Sequence, residues 1–161
     1  MITIRPYQAK DRKRVEASIG ALQEHVALLD TLHRIRRLKD FDVKIYFRRT
    51  LAKVKKNDGK IFVAMEGSRM VGCIVGFIDK DRTGNLEGYP ATDGFIAELI
   101  VEDAYRGKGL GALLMKTMET FFRSKGCGCV KAECFGPNDD AHTFYKKLGY
   151  SDRSYTLLKI L

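Results

Sequence analysis

Residues 106–111 read Arg106-Gly107-Lys108-Gly109-Leu110-Gly111, and this glycine-rich stretch is the strongest indication of how the chain folds. It follows an apolar stretch, residues 95–101, and it opens a stretch whose apolar side chains recur at helical spacing. The pattern predicts a strand, a turn and a helix in that order. Glycines at such a turn leave backbone N–H groups uncovered at a helix N-terminus, where the helix dipole is positive, and that arrangement binds phosphate. We therefore expect a phosphorylated ligand at this turn.

Length and composition favour a single domain, residues 1–161, because 161 residues can bury a core without disulfides or metals. No apolar run approaches the roughly 18 residues that cross a bilayer, which predicts no membrane partner. The first residues lack an apolar signal core, so we expect a cytoplasmic location. The four cysteines form no disulfide framework and have no His-x-x-x-His partner, so no metal site is predicted. They are interpreted as small core residues: Cys73, Cys127, Cys129 and Cys134.

The net charge of +9 is concentrated at the start of the chain, since residues 1–58 carry 15 Lys and Arg against 7 Asp and Glu. Such a region is typical of a solvated helical face. It also fits the attraction of an anionic cofactor or an acidic partner, and the sequence leaves both interpretations open. Nucleic acid is not the expected partner, because neither an aromatic-rich binding strand nor a helix-turn-helix pattern accompanies the charge.

Apolar periodicity and turn residues divide the chain into alternating helices and strands. Strands are predicted at residues 3–5, 61–65, 71–78, 95–101, 130–135 and 153–160. Helices are predicted to begin near Asp11, Asp42, Leu110 and Asn138, the last running to Lys147. A turn at 66–69 makes a hairpin of the second and third strands, and a polar loop at 79–93 precedes the fourth. This order predicts the α/β class, of α+β type: a central mixed, mostly antiparallel sheet flanked by helices, with one βαβ unit.

Two common phosphate-binding motifs fit the glycine turn poorly. A Walker P-loop is excluded because no Gly-Lys-Ser/Thr sequence follows the glycines. The dinucleotide fingerprint is satisfied formally by Gly107-x-Gly109-x-x-Ala112, with Glu133 as the acid that would bind a ribose. However, the polar residues 102–106 separate the strand from the glycines, and the upstream hairpin leaves no room for repeated βαβ units. The dinucleotide reading is therefore disfavoured.

The stretch from Glu98 to Gly111 closely resembles the GCN5-related N-acetyltransferase (GNAT) superfamily. The cofactor loop of that family, Gln/Arg-x-x-Gly-x-Gly/Ala, matches Arg106, Gly109 and Gly111. Residues 138–150 are similar to a second family signature and read Asn138-x-x-Ala141-x-x-Phe144-Tyr145-x-x-Leu148-Gly149-Tyr150. The two motifs lie at the expected separation. The order of elements fits the GNAT fold along the whole chain, although residues 1–60 carry no motif as specific.

The resemblance implies acetyl-coenzyme A as cosubstrate and no metal. Its pyrophosphate would lie on the amides of residues 106–111, where glycines permit close approach and the helix start favours negative charge. In the family, the strand before the loop pairs its backbone with the pantetheine chain. The implied cofactor-binding residues are Leu99, Ile100, Val101, Arg106, Gly107, Lys108, Gly109, Leu110, Gly111, Asn138 and Tyr145. For Asn138, a helix N-cap and a role in orienting the cofactor are both predicted, and they are compatible.

Acetyl transfer requires a neutral amine, although a free alkyl amine with a pKa of about 10 is mostly protonated at neutral pH. The departing thiolate benefits from a proton. Tyr145 occupies the family position that protonates this thiolate, and the alternative is a packed aromatic beside Phe144. Glu98 interrupts an apolar strand where many relatives carry an acid that takes the amine proton through water. The alternative interpretation of Glu98 is a structural one, an acid at the sheet margin that is paired with an Arg or Lys.

The acceptor is the least determined part of the function. The resemblance places the first helix near the acceptor pocket, which makes Glu24 and His25 candidate substrate residues. We expect a small-molecule primary amine, attacked directly in a ternary complex, because no segment resembles a peptide-docking insertion. Peptide N-terminal or lysine acetylation is the alternative, and so is a non-catalytic coenzyme A sensor of the same fold. Family members often dimerise, and the sequence leaves a homodimer open.

Overall fold

The structure, a computed structural model, describes residues 1–80 and 91–160. In these residues five strands form one sheet, and four α-helices pack around it. The strands are β1 (Ile2–Pro6), β2 (Lys60–Glu66), β3 (Arg69–Lys80), β4 (Thr92–Val101) and β5 (Cys129–Ala132). The helices are α1 (Arg12–Leu29), α2 (Val43–Lys56), α3 (Leu110–Ser124) and α4 (Asp139–Lys147). Among the described helices, none combines the length and the hydropathy of a membrane-spanning segment.

The strands lie in the sheet in the same order as in the chain, from β1 to β5. The first three pairings are antiparallel, as expected for strands joined by short turns. β4 and β5 run parallel because α3 crosses between them and closes a βαβ unit around the glycine turn. The predicted fold class, a mixed and mostly antiparallel sheet flanked by helices, is confirmed.

The sheet carries a separate apolar core on each face. On one face, α1 and α2 cover the central strands with the buried side chains Val15, Ile19, Phe47 and Val54. On the other face, α3 packs with Leu114, Met115, Met118 and Phe122, and α4 adds partly buried aromatic residues. Phe122 comes close to the strands because two of their residues are glycines: a Cβ at Gly76 would lie 2.7 Å from Phe122 Cζ. This close packing fixes α3, and with it the glycine turn, on the sheet.

Local polar contacts set the start of α1 and of α2. The carboxylate of Asp42 caps α2, as predicted, by accepting a 2.9 Å hydrogen bond from the Ile45 amide. Asp11, just before α1, is fully buried and receives two hydrogen bonds from the Arg5 guanidinium, at 2.7 and 2.8 Å. The ion pair with Arg5 lowers the pKa of Asp11 to about 2. Asp11 thereby ties the edge strand β1 to the first helix.

Four structural predictions from the sequence are wrong in detail. The strand predicted at 153–160 is absent, since these residues join no ladder and are exposed. The strand predicted at 130–135 stops at Ala132, which is also the last residue that pairs with β4. The loop predicted at 79–93 is shorter at both ends, because Asp79 pairs with Asp93 in the β3–β4 ladder, while residues 81–90 lie outside the described part. Cys73 is buried as expected, whereas Cys129 is exposed because β5 is an edge strand.

Candidate active site

β4 carries an irregularity in the middle of its length, and it opens a gap in the sheet. Against β3, Val75 pairs with Glu98 and Gly76 pairs with Ile96, so Ala97 is an extra residue, as in a β-bulge. β5 pairs with β4 only from Asp93 to Ile96. Beyond that point no described strand covers this edge of β4. The main-chain groups that a ladder would use are therefore available along Leu99, Ile100 and Val101, the stretch predicted to contact pantetheine.

The glycine turn at the end of β4 presents unpaired amides. Gly107 and Gly109 have φ angles of +70° and +82°, which L-residues with a side chain rarely adopt. Gly109 is the N-cap residue of α3, and no described atom lies within 4 Å of the place where its Cβ would be. Within the described chain, the amides of residues 107–112 donate to no main-chain or side-chain acceptor. These donors at the start of a 15-residue helix fit a pyrophosphate group.

The charged residues of the turn are held by their neighbours. Arg106 donates from Nε to the Val101 carbonyl at 3.2 Å and pairs with Asp103 at 3.0 Å. The Lys108 ammonium lies 5.9 Å from the centre of the Tyr105 ring. Position 111 favours glycine for a different reason. A Cβ there would lie 3.1 Å from Phe144 Cε2. The lack of a side chain at this position lets α4 pack against the beginning of α3.

Tyr145 lies on α4 with its ring against Phe144 and Tyr150, at centroid distances of 5.4 and 5.5 Å. Burial raises the pKa of Tyr145 to about 12, with smaller contributions from the nearby Cys134 and Glu98. The phenol is therefore fully protonated at neutral pH. Its hydroxyl forms no hydrogen bond with the described residues, so among them it is an available donor. The ring packing and the donor coexist, and the acid role of Tyr145 stays a prediction.

Glu98 lies on β4, one residue beyond the extra residue, and only 8% of it is exposed. Its carboxylate accepts a hydrogen bond from the Tyr46 hydroxyl of α2. Burial raises the pKa of Glu98, and the hydrogen bond from Tyr46 opposes that rise. No Lys or Arg in the described residues forms an ion pair with Glu98, so the partner is a phenol rather than a cation. A buried carboxylate with a raised pKa and no counter-ion is typical of a functional base.

Sequence reasoning missed Tyr46, whose only predicted feature is its place in the helix that begins near Asp42. The signal available in the sequence is weak, because every tyrosine has a hydroxyl that can donate a hydrogen bond. The partner of Tyr46, Glu98, is 52 positions away in the chain. Only the packing of α2 on the sheet brings the two together.

An open cleft of about 750 Å³ lies beside Tyr46, between α2 and the strands β3 and β4. Its floor includes Phe77 and Phe95, whose rings stack at a centroid distance of 5.0 Å. Its α2 wall carries three cations: Arg49, Lys53 and Lys56. The Lys53 ammonium lies 4.6 Å above the centre of the Phe77 ring. Part of the positive charge of residues 1–58 therefore lines a cleft, and none of these three cations pairs with a carboxylate of the described residues.

The remaining predicted site residues lie apart from this cleft. Asn138 caps α4, because its Oδ1 accepts a 3.1 Å hydrogen bond from the Ala141 amide. Glu24 accepts hydrogen bonds from the Arg37 guanidinium and, at 2.6 Å, from the Leu38 amide, which ties α1 to the segment before α2. His25 is partly buried on α1 and does not line the cleft. The substrate roles of Glu24 and His25 stay predictions.

Comparisons with known proteins agree with this geometry. Residues 27–150 match the profile of the Acetyltransferase (GNAT) family, and the chain belongs to that family. It is 36% identical over 93 residues to an uncharacterized N-acetyltransferase of Methanocaldococcus jannaschii, covering 57% of this chain and 53% of that protein. It is 29% identical over 89 residues to N-alpha-acetyltransferase 30 of Schizosaccharomyces pombe, covering 55% of each. The chain thus spans about half the length of these curated relatives.

Solved structures show the same fold along the whole chain. A mutant of the BH1408 protein from Bacillus halodurans superposes with a TM-score of 0.85, at 17% identity, and 99% of each chain is covered. Glucosamine-6-phosphate N-acetyltransferase from Arabidopsis thaliana gives a TM-score of 0.62 at 22% identity, covering 99% of this chain and 98% of that one. The resemblance stated from the two sequence motifs is confirmed.

Proposed function

We propose that the chain is an N-acetyltransferase that uses acetyl-coenzyme A. Its acceptor is a small primary amine that also carries an acidic group, and the amine attacks directly in a ternary complex. One observation carries this proposal: the amides at 107–112, which no described acceptor pairs, follow shortly after β4, and the open part of that strand carries Glu98. Family membership adds the acetyl group, because acetyl-coenzyme A supplies the thioester from which it is transferred.

Two parts of the chain would bind two parts of the cosubstrate, its charged pyrophosphate and its extended pantetheine chain. The amides of residues 107–112 hold the pyrophosphate, with Arg106 and Lys108 adding positive charge at the rim. The open edge of β4 offers main-chain donors and acceptors to the amide groups of pantetheine, as a neighbouring strand would. Both sets are fixed in the fold before binding, which limits the entropy that ordering would cost.

Glu98 is the proton acceptor for the incoming ammonium group, either directly or through water. Its pKa is raised by burial toward neutrality, which makes its carboxylate a better base than an exposed glutamate. The Tyr46 hydroxyl orients the carboxylate, and its hydrogen bond favours the ionised form. Glu98 is thus the proposed base and Tyr46 its positioning residue.

Tyr145 is the proton donor for the departing sulfur. Its phenol is protonated at neutral pH because burial raises its pKa to about 12. The aromatic neighbours on α4 hold the ring in one direction, so the hydroxyl is aimed without a long flexible side chain.

The cleft beside Tyr46 is the proposed acceptor site. The carboxylates Asp79 and Glu133 line its other side, but the cations of its α2 wall favour an acidic acceptor. Arg49, Lys53 and Lys56 line one wall, and each would attract a carboxylate or phosphate on the acceptor while repelling a polyamine. Phe77 and Phe95 provide an apolar floor for the carbon skeleton. The related protein N-alpha-acetyltransferase 30 makes a peptide N-terminus with an acidic side chain the second candidate acceptor.

The test is release of free coenzyme A from acetyl-coenzyme A across a matched panel of amines. The panel contains acidic amino acids and amino sugar phosphates, their neutral amides or unphosphorylated forms, polyamines, and short peptides with acidic or neutral side chains. A control without amine corrects for the protein's own thiols. We expect the highest kcat/KM with an acidic small amine. A preference for peptides would support the second candidate. Cofactor binding without release from any amine would support a coenzyme A sensor.

The charge argument has its own matched pair of variants. Arg49→Ala removes a cation of the cleft wall, and it should raise KM for an acidic acceptor about tenfold while leaving KM for the neutral analogue unchanged. Arg48→Ala removes an exposed cation of the same helix that does not line the cleft, and it should change neither value. Equal effects of the two variants would rule out the cleft as the site for the acidic group.

A further inference from the structure

A second concentration of positive charge lies in the segment between α1 and α2. Residues 31–40, here called the basic loop, contain four Lys or Arg and one Asp. The four cations of the loop are Arg34, Arg36, Arg37 and Lys39. None of these side chains lines the cleft beside Tyr46. The charge of residues 1–58 therefore falls into two places, and the proposed acceptor site accounts for one of them.

The basic loop and Ala27 of α1 line an open pocket of about 370 Å³. All four cations of the loop line this pocket, together with one carboxylate, Asp40. Arg37 is paired with Glu24 of α1. The other three cations form no ion pair with a carboxylate of residues 1–80 or 91–160. The pocket therefore presents three free cations against one carboxylate, an excess that attracts anions.

Two side chains at the end of α1 hold the main chain of the basic loop. Gln23 donates from Nε2 to the Arg36 carbonyl at 2.7 Å. Asp30, the C-cap residue of α1, is 6% exposed, and its carboxylate accepts three main-chain hydrogen bonds. The donors are the amides of Leu32, Arg34 and Ile35, at 3.1, 2.6 and 2.7 Å. The cations therefore extend from a backbone that is already fixed, which lowers the entropy that binding would cost.

The side chains and the size of the pocket favour a small phosphorylated ligand. Three of the four cations are arginines, and a guanidinium binds phosphate through two parallel hydrogen bonds. Several cations around one pocket can contact more negative charge than a single carboxylate carries, which favours adjacent phosphate groups. The volume is that of a small-molecule pocket. A nucleic acid instead requires charges that follow its backbone over several nucleotides, whereas these four lie within six positions of one loop.

We propose that the basic loop binds a small ligand with two or more phosphate groups, at a site separate from the glycine turn and from the acceptor cleft. Arg34 and Arg36 would bind its phosphates directly, and Lys39 would add positive charge. Arg37 is held by Glu24 and fixes the loop. The pocket shares no lining residue with the cleft, so this inference does not depend on the proposed acetyl transfer.

The first test is isothermal titration calorimetry of the full chain with inorganic pyrophosphate, with and without coenzyme A. Coenzyme A is proposed to occupy the glycine turn, whose amides could also bind pyrophosphate, so its presence separates the two sites. We expect binding in both conditions. Arg34→Ala and Arg36→Ala should each weaken it about tenfold, because each removes charge-assisted hydrogen bonds. Absence of binding to the native chain, or its loss when coenzyme A is present, would overturn the proposal.

Three further variants assign the binding to the pocket. Arg14→Ala removes an exposed arginine of α1 that does not line the pocket, and it should leave the affinity unchanged. Gly109→Ala is directed at the glycine turn and should leave the affinity of the basic loop unchanged. Arg34→Lys keeps the charge without the planar fork, so its affinity should lie between those of the native chain and Arg34→Ala. A loss in Arg14→Ala equal to that in Arg34→Ala would overturn the proposal, because net charge would then explain the binding.

The second test compares ligand classes at constant ionic strength. Pyrophosphate should bind more tightly than orthophosphate, which carries a single phosphate group. Citrate has carboxylates in place of phosphates, and it should bind more weakly than pyrophosphate; equal affinities would contradict a phosphate site. A short DNA duplex is the third ligand. Binding of the duplex that depends on Arg34 and is tighter than that of pyrophosphate would identify a nucleic acid surface and overturn the proposal.

Discussion

Replacing Gly109 by alanine separates the binding role of the glycine turn from its structural role. Gly109 has a φ angle of +82°, and no described atom lies within 4 Å of its missing Cβ. The substitution therefore costs conformational energy without a clash, about 1–2 kcal/mol for an L-residue in the left-handed region. For a chain of this size that loss lowers Tm by about 2–8 °C. The new Cβ also occupies open space at the turn whose amides are proposed to hold the pyrophosphate.

Gly67 is the matched control for this substitution. It lies in the β2–β3 turn with a φ angle of +58°, and its missing Cβ also meets nothing within 4 Å. Gly67→Ala should therefore lower Tm by a similar amount through the same backbone strain. Because Gly67 is in a different turn from the amide cluster, its replacement should leave the affinity for coenzyme A unchanged.

Thermal unfolding with and without coenzyme A measures both effects in one experiment. At a ligand concentration 100 times its Kd, the native chain and Gly67→Ala should gain about 2.7 kcal/mol, or about 5–11 °C. If Gly109→Ala weakens binding tenfold, the same concentration gives about 1.4 kcal/mol, or about 3–6 °C. Isothermal titration calorimetry then gives Kd directly. Equal affinities for the two alanine variants would refute the placement of the pyrophosphate at this turn.

Three further predictions concern the proposed acid, the positioning of the proposed base, and the buried ion pair. Tyr145→Phe should lower kcat about 100-fold with little change in the Kd of coenzyme A, and an unchanged kcat would remove the tyrosine from the acid role. Tyr46→Phe removes the hydrogen bond that opposes the rise in the pKa of Glu98, so the acidic limb of the kcat/KM profile should move to higher pH. A profile that does not move would exclude Glu98 as the titrating base. Asp11→Asn should lower the free energy of unfolding at pH 7 by about 2 kcal/mol, measured by urea denaturation. Because folding lowers the pKa of Asp11 from 3.8 to about 2, that difference should be complete well above the unfolded pKa of 3.8 and be lost as the pH falls through the folded pKa of about 2. A difference that is undiminished at pH 2 would contradict this account.

The cleft cations show why the charge of the first 58 residues allowed two interpretations. Residues 48 and 49 are both arginines in one helix, yet only Arg49 lines the cleft. Helical periodicity alone predicts that neighbouring residues face different directions. It does not say which direction faces a cleft, since the opposite wall comes from strands β3 and β4.

Features with a local physical cause can be predicted from the order of residues alone. The glycine turn needs positive φ angles at Gly107 and Gly109, and only glycine adopts them without strain. Asp42 and Asn138 cap helices that begin within three residues of them. Each of these features involves residues only a few positions apart, so a short stretch of sequence is enough to predict it.

Tertiary structure alone decided the features that join distant parts of the chain. The extra residue at Ala97 is visible only against the register of β3, and the Tyr46–Glu98 hydrogen bond spans 52 positions. Residues 153–160 have the composition of a strand, but a strand is stable only when its main-chain groups find a second strand. The sequence encodes that preference, whereas the arrangement of the sheet determines whether a partner is within reach.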